Sequence, residues 1–340
     1  MACTNNPTKN TVVALGVRPE TGKPNAFGEM YHVALTAIWF SEKYKYPVRI
    51  YFYQQDAGRI FLESLAIPFE EVEAFPKPNN KIHLPHKSHA SILASFLFSS
   101  HGAGVMRAYA EKIRNLVAMD ALERSIFEPI RTKIGEKILV WHRDSDYKRQ
   151  RNSTNGLVSD LAEAILSENS IPVTINLSSE IPHTIKLGKF WKHLTGPNIY
   201  IKQLRALEYL HRECMAIGQI GMLSAAMDGP AFFLGLNTCY LERSDDSSSK
   251  RMLKFSKKLD GYRRVAFKPG RDVRGVFVPS CRNCPPGELK DTEACNKIRG
   301  WVRPMLSGTS SEGVHCHLSS NTNMPILQIG EFEGAILNRP

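Results

Sequence analysis

Residues 137–152 read KILVWHRDSDYKRQRN. The first five, Lys137–Trp141, are a short, largely apolar run of strand length. A charged loop follows directly. Beyond it, Ser159–Glu168 (SDLAEAILSE) repeats its apolar positions at helical spacing. Strand, loop and helix in that order form one βα unit, and a series of such units builds a parallel sheet wound with helices.

The same rhythm recurs on both sides of this unit. Toward the N-terminus, Thr11–Val17 (TVVALGV), Val48–Tyr53 (VRIYFY) and Glu70–Phe75 are expected strands. Between them lie expected helices over Glu29–Tyr44, with apolar Met30, Val33, Ala34, Ala37 and Ile38, and over Ala57–Leu65, closed by Pro68. Helical stretches over Ser91–Phe98 and Val105–Lys133 complete this half, with Ser99–Gly104 (SSHGAG) between them as a helix-breaking loop or a cleft loop carrying His101. Toward the C-terminus, expected strands are Ile171–Leu177, a short Ile199–Ile201, Cys214–Ile220 ending on Gly221, and Asn237–Leu241. Gln203–His211 is an expected helix, and another begins at Leu223 and is interrupted at Gly229-Pro230.

The fold expected is α/β, with two Rossmann-like domains facing each other across a cleft. Residues 1–132 form the first and 133–275 the second. Residues 276–340, rich in Cys, Pro, Gly and Ser, form an irregular extension. A chain of 340 residues is long enough for two such domains, and 42% hydrophobic with 23% charged residues is ordinary for a globular protein.

The net charge of +11 and the pI near 9.3 favour anionic partners: nucleic acid, phosphorylated small molecules or an acidic membrane face. The N-terminal MACTNNPTKNT has no apolar signal-type segment, and no run approaches the ~20 apolar residues of a membrane span. A soluble, cytoplasmic protein is expected. The odd number of cysteines, 7, argues against a secreted disulfide framework. Cys281, Cys284, Cys295 and Cys316 offer a weak zinc pattern; free or buried thiols are the other reading, and no metal is expected.

The strongest candidate site follows the Lys137–Trp141 strand. His142, Arg143, Tyr147, Arg151 and Asn152 would sit at the C-terminal edge of the sheet, where open α/β folds bind ligands. A guanidinium fork there suits a diphosphate. Asp144 and Asp146 are candidates for acid–base chemistry. A solvated charged loop is the plain alternative. A second candidate is the loop Gly16–Glu29 (GVRPETGKPNAFGE), which can face the cleft from the other side with Arg18, Lys23, Asn25 and Glu29, Glu29 being a possible base. A third is the basic run 250–274, where Phe255, Tyr262 and Phe267 interleave cations; it would suit RNA, the rim of a ligand pocket or a solvated face.

The segment LVWHRDSDYKRQRNSTNGLVSDLAEAI, residues 139–165, resembles the HxRDSxY…RN segment of a bacterial glycosyltransferase-like family. More distantly it is similar to the HxRxGD strand–loop of fucosyltransferases with the GT-B fold, although Ser145-Asp146 stands where that pattern has Gly-Asp. The resemblance implies that Arg143 binds the donor's diphosphate. A second stretch, AIGQIGMLSAAMDGPAFFLGLNTCYL at 216–241, resembles the late GT-B segment that contacts the donor, which implies roles for Gly218, Gly221 and Ser224. The function implied is a metal-independent glycosyltransferase using a nucleotide-diphosphate sugar, with Asp144, Asp146 or Glu29 as base. The rival expectation is a non-catalytic GT-B-like protein that holds RNA or another polyanion on its basic surface.

Overall fold

A computed structural model describes residues 11–15, 29–53, 55–73, 90–116, 121–143, 152–177, 180–187, 196–222, 224–243, 250–267, 269–271, 277–279 and 292–306. The chain is a mixed α/β protein built on parallel sheets. The first half carries β1 (Val12–Leu15), α1 (Glu29–Tyr44), β2 (Val48–Phe52), α2 (Asp56–Ser64), β3 (Phe69–Glu71), α3 (Ala90–Phe98), α4 (Ser100–Leu116) and α5 (Ala121–Arg131). Its strands form a parallel sheet in the order β1-β2-β3.

The second half carries β4 (Lys137–Trp141), α6 (Asn155–Leu166), β5 (Ile171–Ile175), β6 (Ile185–Lys186), α7 (Ile199–Arg212) and β7 (Ala216–Met222). It continues with α8 (Asp228–Leu234), β8 (Asn237–Arg243), α9 (Lys250–Ser256) and β9 (Tyr262–Phe267). Its six strands lie parallel in the order β6-β5-β4-β7-β8-β9. A small antiparallel pair, β10 (Pro269–Arg271) with β11 (Phe277–Pro279), and α10 (Thr292–Leu306) follow.

Helices cover both faces of the six-stranded sheet, so every residue of β4 and β5 is buried. On one face Ile138, Val140, Ile220, Cys239, Leu241 and Val265 pack against α6 and α10. On the other, Leu139, Trp141, Val173 and Tyr240 pack under α7, α8 and α9. That second core is continuous with the first half, taking in Val13, Met30, Tyr31, Leu35 and Phe61. A glycine is required where the halves meet: a Cβ on Gly229 of α8 would stand 2.6 Å from the Tyr31 ring of α1.

Several elements differ from expectation. The single helix over Val105–Lys133 is two helices, and α4 begins at Ser100, so His101 stands in a first helical turn rather than a loop. Ser99 Oγ accepts the Gly102 N–H at 3.0 Å and caps that turn. Ile199–Ile201 is no strand but the first turn of α7, whose Tyr200, Ile201, Leu204 and Leu207 face the core. Pro230 does not interrupt α8. The helix begins at Asp228, so the proline falls in the first turn, where its missing N–H is not needed. The basic stretch at 262–267 is the edge strand β9. The C-terminal extension is not irregular throughout: α10 buries Ala294, Cys295, Ile298, Trp301, Val302 and Met305.

Candidate functional site

Numbered from β4, the six-stranded order is 3-2-1-4-5-6, that of doubly wound nucleotide-binding folds. The chain leaves β4 to one side through β5 and β6, then returns to the other side at β7. The crevice that such a reversal opens lies beyond the C-terminal ends of β4 and β7. Trp141, the last residue of β4, is in register with Ile175 of β5 and Gly221 of β7.

His142 and Arg143 come next, both half-buried. The His142 N–H donates to the Ile175 carbonyl at 2.9 Å. The Arg143 N–H donates to Ser153 Oγ at 3.1 Å, and the Ser153 N–H returns a bond to the Arg143 carbonyl at 2.8 Å. Ser153 directly precedes Thr154, whose hydroxyl accepts the Leu157 N–H and caps α6. The backbone of Arg143 is thereby tied to the N-terminus of α6. That anchors the residue beside the positive end of a helix dipole, a place that attracts anions. Asn152 is half-buried next to Ser153. Asp144, Asp146, Tyr147 and Arg151 lie outside the described residues, as do Arg18, Lys23 and Asn25.

From the β7 side, Ser224 joins this edge. Its hydroxyl accepts the Ala226 N–H at 3.3 Å and shapes the short 3₁₀ turn Ala225–Met227. Gly221 also lies here, with a packing role: a Cβ would come within 2.8 Å of Trp141 Cβ and 3.0 Å of its carbonyl oxygen. Gly218 is not at this edge. It pairs with Ile138, three residues back from Gly221 along β7, roughly 10 Å away at ~3.3 Å per residue. A Cβ there would press on Trp301 and Met305 of α10. Glu29 opens α1, three residues before His32.

Two buried polar networks that sequence reasoning missed stand behind the edge. Trp141 Nε1 donates to Gln219 Oε1 at 2.8 Å, and Gln219 Nε2 donates to the Met227 carbonyl at 2.8 Å and to Thr238 Oγ1 at 2.7 Å. This fixes the end of β4 against β7, β8 and the turn before α8. The next residue, Asp228, is fully buried. Its Oδ2 lies 2.5 Å from His32 Nε2 of α1, and its Oδ1 accepts the Tyr262 hydroxyl at 2.5 Å. The two networks are joined through the Met227–Asp228 peptide, so α1 of the first half is linked to the strand end that carries Arg143. One signal for His32 was present in the sequence: it is a polar residue within the apolar run Met30–Ala37.

Cys295 is buried in the α10 interface, and Cys281, Cys284 and Cys316 lie outside the described residues. Among the described residues no group of three or more His, Cys, Asp or Glu side chains is placed to hold a metal. Burial pushes the Cys214 thiol up to about 11 and that of Cys239 up to about 12, so both stay protonated at neutral pH. On β9, Arg263 and Arg264 are both exposed, and Arg264 also pairs with the buried Glu242. Among the described residues no helix is long and apolar enough to cross a membrane. Compared with known proteins, the chain matches no family model, no curated protein and no solved structure.

Proposed function

We propose that the chain is a glycosyltransferase whose donor, a nucleotide-diphosphate sugar, binds at the C-terminal edge of the six-stranded sheet. The observation that carries this reading is the position of Arg143, at the topological switch point and tied to the N-terminus of α6. Sugar transfer separates an anionic nucleoside diphosphate from the anomeric carbon. Fixed cations and a helix N-terminus stabilise that departing charge without reorganisation. Arg143 is the diphosphate ligand, His142, Asn152 and Ser224 line the same edge, and Asp144, Asp146 and Glu29 are the base candidates. In this GT-B-like reading the acceptor approaches from the side of residues 1–132.

A second reading has its own observation. Arg263 and Arg264 are consecutive exposed residues that present charge on the two faces of the edge strand β9, with Lys257 and Lys258 exposed in the preceding segment. That surface suits RNA or another polyanion. One experiment separates the two. Thermal denaturation with UDP, GDP, ADP and CMP and their sugars is run on wild type and Arg143→Ala. A nucleotide at ~100 times its Kd stabilises by about 2.7 kcal/mol, a shift of several degrees. The donor reading predicts that shift for one nucleotide and its loss in Arg143→Ala. If no nucleotide shifts the transition while oligonucleotides bind with a steep salt dependence, the polyanion reading replaces it.

A further inference from the structure

Glu208, on α7, has a side chain only 4% exposed, and three arginines converge on it. Arg205, one turn earlier on the same helix, pairs with Oε2. Arg114 Nε, from the last turn of α4, and Arg212 Nε, from the last turn of α7, each lie 3.1 Å from the other oxygen, Oε1. Two guanidinium groups anchored on one oxygen are held no farther apart, nitrogen to nitrogen, than twice that distance.

Arg205 alone neutralises the carboxylate. Arg114 and Arg212 are therefore surplus to its needs, and held this close they repel each other. The C-termini of α4 and α7 contribute about half a negative charge each. Three arginines thus share one carboxylate and two helix ends. Both surplus arginines meet Glu208 through Nε, and among the described residues neither has another hydrogen-bond or ion-pair partner. Their side chains are 37% and 42% exposed, so the outer nitrogens of both forks reach solvent. The neighbouring Glu111 and Glu213 are exposed and pair with neither.

We infer that Arg114 and Arg212, braced by Glu208, form a second anion site selective for a small phosphate-bearing ligand. Two guanidinium forks side by side offer paired N–H donors to the oxygens of a phosphate or phosphomonoester. The site is separate from the Arg143 edge. The C-terminal end of α7 adjoins the start of β7, where His211 Nδ1 contacts the Ala216 carbonyl at 2.6 Å. This is the opposite end of the sheet, and the inference stands whether or not the donor reading holds.

The test is isothermal titration with inorganic phosphate and with glycerol 3-phosphate at matched ionic strength. Full-length Arg143→Ala protein is used, so that binding at the other edge does not enter. Adding Arg114→Gln and Arg212→Gln together is expected to weaken binding about tenfold or more, while a charge-matched Arg59→Gln/Arg131→Gln pair leaves it unchanged. Undiminished binding in the first double variant, or equal loss in both, overturns the inference. So does the absence of phosphate binding at the start, or binding confined to phosphatidic acid vesicles. If circular dichroism shows the double variant unfolded, the single Arg212→Gln decides: several-fold weaker binding supports the site and undiminished binding refutes it.

Discussion

Replacing Asp228 with alanine tests whether the two halves share one core. The carboxylate bonds His32 of α1 and Tyr262 of β9 at 2.5 Å each, and all three residues are 0% exposed. Its removal leaves an imidazole nitrogen and a phenol hydroxyl without these partners, deep in the core. One orphaned buried polar group costs about 1–3 kcal/mol, and breaking a buried pair from one side costs about 3–5 kcal/mol. The expected loss is therefore about 3–5 kcal/mol, a large share of a typical 5–15 kcal/mol total. Asp228→Asn keeps an acceptor for Tyr262 and a donor for a neutral His32, so its cost should stay near 1 kcal/mol. Urea unfolding followed by tryptophan fluorescence reads both; with m near 3 kcal/mol/M, the alanine variant should shift the midpoint by roughly 1 M or more. A loss below about 1 kcal/mol in Asp228→Ala, or an asparagine variant as damaged as the alanine, would mean that the Asp228 carboxylate does not hold the two halves together.

Gly221→Ala should cost about 1–3 kcal/mol in the same assay, because its Cβ must displace Trp141 at the end of β4; a neutral substitution would mean that the strands separate freely there. The hydrogen bond from Arg303 of α10 holds the Glu168 carboxyl below the usual carboxylate range. Because the folded value lies below the unfolded one, this pair stabilises the protein above the unfolded value near pH 4, and the contribution disappears as pH falls through the folded value. Arg303→Gln should flatten the acid side of the stability profile between roughly pH 5 and 2. An unchanged slope would show that the pair does not form.

Much of the architecture was legible locally. The bounds of α1 and β4 coincide with their sequence patterns, because an amphipathic run and an apolar run between charged segments have few alternatives. Long-range partners were not legible. His32 and Asp228 are separated by 196 positions, and nothing in either neighbourhood names the other. Glycines misled for a physical reason. Gly218 and Gly221 lack side chains because Trp301 and Trp141 occupy that space, and a close side chain leaves the same mark in a sequence as a close phosphate. Of the candidate site, the position of Arg143 followed from a strand ending in a charged loop. The Gln219 and Asp228 networks behind it did not, since they depend on how strands far apart in sequence come to lie side by side.

The position of α10 has a consequence for how the protein is made. β4 is finished at Trp141, but the helix that covers one face of its sheet ends at Leu306. At about 5–20 residues per second, roughly ten to thirty seconds of synthesis separate the two. Through that interval the sheet face that α10 will bury, begun by Ile138 and Val140 and extended as later strands join, has no permanent cover. The nascent chain therefore passes through a stage in which a chaperone, or a neighbouring nascent chain, competes for the place α10 will take.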